Sequence, residues 1–169
     1  MNRATRCLLT GFLAVLTSGC AGYHLGPTQS LPYRSVAVLM FKNKTLNPQL
    51  EAQVTNAIIK RFQTDGTLRI ESATEADIVI TGQITKFHRH ELRAVQTDVN
   101  APREYRVTIE VRIEARVRGS GELVFEPALI KGHADTFIGT DLQSADAQVL
   151  PLIADDLAKR VVPLLAERW

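Results

Sequence analysis

The stretch Tyr105-Arg-Val-Thr-Ile-Glu-Val-Arg-Ile-Glu-Ala-Arg-Val-Arg118 decides the fold. Tyr105, Val107, Ile109, Val111, Ile113, Ala115 and Val117 alternate with Arg106, Thr108, Glu110, Arg112, Glu114, Arg116 and Arg118. A period of two kept this long specifies a strand with one dry face and one wet face. Such a sheet needs another layer over its apolar side.

Outward from this strand, the pattern supplies the rest of the sheet and that layer. In Ala76–Phe87, Ile78, Ile80 and Ile84 fall on one face and Thr81, Gln83 and Thr85 on the other. After a turn at Ser120-Gly121, Leu123–Phe125 and Leu129–Ile138 read as the returning strand. Pro127 interrupts it, which implies a bulge or an edge position. Ser35-Val-Ala-Val-Leu-Met-Phe41 is an apolar run suited to a strand buried on both faces. A polar turn over Asn43–Asn47 follows, with Asn47 and Pro48 placed as helix cap and first helical residue. Leu50, Val54, Ala57, Ile58 and Phe62 recur at helical spacing up to a stop at Gly66, and a brief strand spans Leu68–Glu71. The C-terminal run from Leu142 to Leu165 is helical, with Pro151 and Pro163 each expected to kink or restart it. The predicted fold is a two-layer α+β sandwich: a mostly antiparallel sheet of about four to five strands with two helices packed on one face. A single domain spans residues 35–169.

The N-terminus reads as an export signal. Arg3 and Arg6 precede the apolar run Cys7–Leu16, which is far shorter than the roughly 20 residues of a membrane-spanning helix. Thr17, Ser18 and Gly19 stand before Cys20 and resemble the bacterial lipobox, with Leu16 one place early. Residues 1–19 are therefore expected to be a lipoprotein signal peptide, Cys20 the lipidated residue, and residues 20–34 a Gly- and Pro-containing tether. An ordinary signal peptide cut near Gly19 or Gly22 is the alternative. Ala21 rather than Asp after Cys20 favours the outer membrane. Acyl chains contribute roughly 0.8 kcal/mol per buried methylene, so two or three of them anchor stably. The only cysteines are Cys7 and Cys20, so the expected mature chain has no disulfide and no thiolate metal site. Loss of Arg3 and Arg6 brings the 20 basic residues level with the 18 acidic ones. A neutral chain is not a general polyanion or nucleic-acid binder, and anion binding must come from local clusters.

No catalytic constellation, phosphate loop or nucleophile elbow is present, so the chain is not expected to be an enzyme or to hold a cofactor. His88 and His90 could share a face, but two imidazoles without a further donor bind metal weakly, and no metal site is expected. Ser144-x-Asp146 reads as a helix cap and Asp155-Asp156 as a solvated helix face. Two basic groups remain. Arg106, Arg112, Arg116 and Arg118 share the wet face of the long strand, where Glu110 and Glu114 can turn them into an ion-pair ladder. Lys86, His88, Arg89, His90 and Arg93 cluster with a single acid, Glu91. Lys86, Arg89 and Arg93 are the candidate phosphate contacts. Strict alternation would separate Lys86 from Arg89 and Arg93, and a bulge or turn after Phe87 would let them converge.

These residues carry a resemblance. Cys20-Ala-Gly-Tyr-His-Leu-Gly26 is similar to the start of the lipopolysaccharide-assembly lipoproteins, the LptE-like family, with Ala21 as an extra residue. Ser35-Val-Ala-Val-Leu-Met-Phe-Lys-Asn-Lys-Thr45, Ala76–Thr85 and Glu104–Ile109 resemble that family too. The first of these strands also resembles TolB-type and curli-secretion-type domains, so Tyr23-His24-Leu25 is the discriminating piece. The resemblance implies two helices on one sheet face. It implies a lipid-anchored protein on the periplasmic side of the outer membrane that plugs and helps to assemble the lipopolysaccharide-translocating β-barrel. Contact with lipopolysaccharide itself is also implied. The alternative is an envelope lipoprotein that scaffolds or regulates another machine, such as a secretion pore or a cell-wall synthase.

Overall fold

The computed structural model describes residues 32–93, 103–138 and 142–166. The expected signal peptide, Cys20 and most of the tether lie outside the described residues. Among the described residues the elements follow in the order β1 (Ser35–Val38), β2 (Lys42–Asn43), α1 (Leu50–Asp65), β3 (Arg69–Ile70), β4 (Ile78–Arg93), β5 (Arg103–Val117), β6 (Ala128–Ile138), α2 (Leu142–Val161) and α3 (Pro163–Ala166).

The strands make one six-stranded sheet in the order β3-β1-β4-β5-β6, with β2 beside β4. β4, β5 and β6 form an antiparallel meander, whereas β1 runs parallel to both β3 and β4. The sheet is thus mixed. It exceeds the expected strand number because the two-residue strand β2 joins it, whereas β3 is the brief strand expected within Leu68–Glu71.

The alternation in β5 holds: Val107, Ile109, Val111, Ile113 and Ala115 are all buried. They face Leu50, Val54, Ile58 and Phe62 of α1 and Val149, Ile153, Leu157 and Val161 of α2, in one continuous core. Each such side chain contributes about 1.5–3 kcal/mol on burial. β1 is buried at Ser35, Val36 and Ala37, as its apolar run implied, but the strand ends at Val38, and Leu39 and Met40, read from sequence as part of a doubly buried strand, are exposed.

Two glycines set how closely the layers approach. A Cβ on Gly82 would lie 2.4 Å from the Phe41 ring, which occupies that space on the sheet. A Cβ on Gly132 would lie 2.4 Å from Leu157 Cγ and 2.9 Å from the Ile153 carbonyl oxygen, so α2 rests on the backbone of β6 there. Asp156 of α2 also accepts the His133 backbone N–H at 3.0 Å, satisfying a donor of the edge strand.

The helix ends divide into one match and one correction. Gly66 stops α1 in the left-handed region (φ 75°), donating to Phe62 O. At the other end, Asn47 does not cap and Pro48 is not helical. α1 starts at Leu50 after Gln49, which has φ 66° and no side-chain cap. Asn43 is the reason. Its Oδ1 accepts the Thr45 N–H at 2.9 Å, and its Nδ2 donates to Asn47 O at 2.6 Å and Glu51 Oε2 at 3.0 Å. This Asx turn holds Asn47 in the loop. At the C-terminus α2 runs through Pro151, while Pro163 opens a new short helix. α2 already runs from Leu142, so Ser144 and Asp146 lie within it rather than capping it.

β1 is pinned where the chain enters the domain. The Asp77 carboxylate accepts the backbone N–H of Arg34 at 2.8 Å and of Ser35 at 3.1 Å. The Arg34 N–H, with help from Ser35, holds the Asp77 pKa below the usual carboxylate value.

Candidate functional site

The face of the sheet turned away from the helices is built in rows across three strands. Strand register sets Gln83, Arg112 and Leu129 in one row, then Lys86, Glu110 and Lys131, then His88, Thr108 and His133, then His90, Arg106 and Asp135. Adjacent rows are close enough for long side chains to interact.

The centre of this face is Glu110. It belongs to the wet side of β5 but is only 4% exposed. Lys131 Nζ lies 2.9 Å from one carboxylate oxygen and Lys86 Nζ lies 3.3 Å from the other. Both lysine ends remain in water, at 66% and 59% side-chain exposure for Lys86 and Lys131. Their stems run over the sheet beside Glu110, as long cationic side chains do. Lys131, then Lys86, hold the Glu110 carboxyl below its usual pKa against the opposing effect of burial. Two ammonium groups therefore share one carboxylate, which leaves one positive charge uncompensated at the middle of the face.

The flanking cations are more fully matched. Arg106 makes a bidentate pair with Asp135 at 2.7 and 2.8 Å. Arg116 donates to Gly121 O at 3.0 Å and lies 3.3 Å from Glu114. Arg118 is turned to the Ala76 carbonyl at 2.7 Å. The ladder expected from Glu110 and Glu114 is therefore only partly formed: Glu114 pairs with Arg116 along the same strand, while Glu110 takes Lys86 and Lys131, and Arg106 reaches across to Asp135.

The three candidate phosphate contacts do not come together. The pairing of β4 with β5 slips between Ile84 and Lys86, with Thr85 as the extra residue. This bulge precedes Phe87 rather than following it, and it resets the alternation. Lys86 takes the outer face opposite Glu110, while Phe87 and Arg89 turn to the helix side opposite Ile109 and Val107. Arg89 lies over the Phe87 ring at 4.8 Å. Its guanidinium forms a two-pronged pair with Asp146 of α2, Nε to Oδ1 at 3.1 Å and Nη2 to Oδ2. Arg89 is a strut between sheet and helix. Arg93 stands in register opposite Glu104 after a second slip at Leu92, and its side chain lies outside the described residues.

Lys131 was not singled out by sequence. It sits between Leu129 and His133 in β6, and only the register of β5 with β6 brings it to Glu110. Asp146 is 57 residues from Arg89, with no local signal linking them.

Among the described residues no group of three His, Cys, Asp or Glu could hold a metal ion. No described helix is long and apolar enough to cross a membrane, which says nothing about barrels. What the outer face offers is positive charge on long stems. Lysine suits phosphate as a point charge, without the bidentate geometry of arginine.

A family model described as LptE, lipopolysaccharide-assembly, matches residues 33–165. No curated protein gives a significant sequence match. Among solved structures, the Chlamydia trachomatis protein CT253 aligns with a TM-score of 0.56 at 12% identity, over 79% of this chain and 96% of its own. A minor lipoprotein from Acinetobacter baumannii aligns with a TM-score of 0.56 at 13% identity, over 82% of this chain and 97% of its own. The Xanthomonas campestris protein XCC0632 aligns with a TM-score of 0.57 at 11% identity, over 87% of this chain and 94% of its own. At these identities the likeness is one of fold.

Proposed function

Because the chain belongs to the lipopolysaccharide-assembly (LptE) family, we propose that it is a lipid-anchored plug and assembly factor for the outer-membrane β-barrel that translocates lipopolysaccharide. In this reading residues 1–19 are removed, Cys20 is acylated, and residues 20–34 tether the domain to the periplasmic face of the outer membrane. The role is non-catalytic: the chain occupies and shapes a partner, and it contacts lipopolysaccharide through charge.

The observation that carries the lipid contact is the Lys86–Glu110–Lys131 cluster. A phosphorylated lipid needs excess positive charge on a surface it can reach, and the two exposed lysines supply it. Of the candidates from sequence, Lys86 belongs to this cluster. Arg89 is committed to Asp146 on the other face. Arg93 is proposed only as a more distant contact along β4. Charge-assisted bonds to phosphate contribute about 1.5–3 kcal/mol each, and less where water screens them.

The test is made on the full lipidated chain in its own membrane. A photo-crosslinking residue at exposed Gly119 should trap one large outer-membrane protein. Trapping only a secretin or a cell-wall synthase would replace this reading with the scaffold alternative. The Lys86→Gln/Lys131→Gln variant should lose salt-sensitive lipid A binding while keeping the protein complex. Unchanged binding at low salt would remove the lipid contact from the proposal.

A further inference from the structure

β4 is the longest strand, at 16 residues, and only its first half is paired on both sides. On the side away from β5, β1 pairs with Ile78–Ile80 and β2 with Gln83 and Ile84. The Lys44 N–H adds a final bond to Ile84 O at 2.9 Å. The chain then turns away through the Asn43 Asx turn. Beyond this point no described residue pairs with that edge of β4.

Strand alternation identifies the open groups. Ala115 O accepts the Val124 N–H and the Val117 N–H donates to Glu122 O, so the odd-numbered residues of β5 point their backbone away from β4. Their partners on β4 are Phe87, Arg89 and Glu91, opposite Ile109, Val107 and Tyr105. In an antiparallel pair these partners also point away from the ladder they share. Three N–H and three C=O groups therefore face the open edge. They lie within Lys86–Glu91, between the slips at Thr85 and Leu92. That is about the length of an ordinary strand. Exposed edges are usually shortened, covered or bent. Here both bulges lie at the ends of the stretch and leave its middle regular.

The space beside the edge is shaped. A groove of about 430 Å³ separates it from the loop Lys44–Asn47. The Asn43 hydrogen bonds hold that loop, and at its tip Leu46 is 102% exposed. Lys44 and Lys86 line the groove, and Lys86 shares the Glu110 carboxylate with Lys131.

We propose that the open edge of β4 between Lys86 and Glu91 accepts an extended, acidic segment of a partner protein as an added strand, continuing the ladder that β2 begins. Backbone pairing supplies the contact, Leu46 covers an apolar side chain of the guest, and Lys44 and Lys86 select acidic residues at the entry.

The experiment is amide hydrogen exchange on the whole chain, with a synthetic peptide in which glutamate alternates with valine. The Phe87, Arg89 and Glu91 amides should slow by about tenfold or more on addition. The lysine–valine counterpart should leave them unchanged. Glu91→Pro, which removes one edge donor, should abolish the effect, while Glu91→Ala keeps it. Three results would overturn the proposal: no slowing of those amides in the wild-type chain at saturating peptide, equal slowing with anionic phospholipid vesicles alone, or full peptide binding by a folded Glu91→Pro chain.

Discussion

The two faces of β5 come from alternate residues of one 15-residue strand, yet they are held in opposite ways. On the helix face Val107, Ile109, Val111, Ile113 and Ala115 are at most 1% exposed, within an apolar core shared with α1, α2 and the neighbouring strands. On the other face Arg106, Glu110, Glu114 and Arg116 are held by ion pairs at the water boundary. Glu110 shows that the contrast is not simply inside against outside. It is as inaccessible as a core residue, but its cover is two lysine stems from neighbouring strands.

That difference predicts a graded response to substitution. Val111→Asp should cost most, about 4 kcal/mol or more, because the carboxylate has no partner among the helices. Loss of the cooperative unfolding transition by circular dichroism would confirm it. A stable, cooperatively folded variant would show that the helix layer is not the core.

Gly132→Val tests the same face by overfilling it. The added methyls meet Leu157 and the Ile153 carbonyl, so α2 must lift from β6. A loss of about 1–3 kcal/mol in urea unfolding is expected. An unchanged midpoint would mean that α2 does not rest on this glycine.

The outer face should respond less, and in a pH-dependent way. Glu110→Ala should cost about 1 kcal/mol, since the lysines it leaves behind are already in water. The Glu110 pKa is lowered in the folded chain, so its contribution is fully present above the unfolded carboxylate value. It is lost as pH falls through the folded value. The wild-type advantage over Glu110→Ala should therefore vanish on acidification below the normal range of glutamate. An advantage that persists there would show that packing, not charge, is what Glu110 supplies. Arg106→Ala, at the more exposed pair with Asp135, should cost least, shifting the urea midpoint less than Glu110→Ala does.

Much of the fold was legible because local pattern and tertiary role agree. Period two in Tyr105–Val117, period 3.6 in Leu50–Phe62 and the stop at Gly66 each report the environment that the structure supplies. Where they disagree, a contact from elsewhere has intervened. Asn47 looks like a cap until Asn43 claims its carbonyl. Asp146 looks like a cap residue until Arg89 reaches it from the sheet.

Fold class, the buried face of the central strand and the family resemblance are readable from local order, because hydrophobic period and short motifs are properties of neighbouring residues. Tertiary structure alone decided which charges meet. Alternation already separates Lys86 from Arg89, but the extra residue at Thr85 decided which face each takes: it put Lys86 on the outer face beside Glu110 and Arg89 on the helix face, the reverse of an unbulged strand. The partnership of Glu110 with Lys131 depends on strand register across the sheet, and register is set by the packing of the whole core rather than by the residues that it brings together.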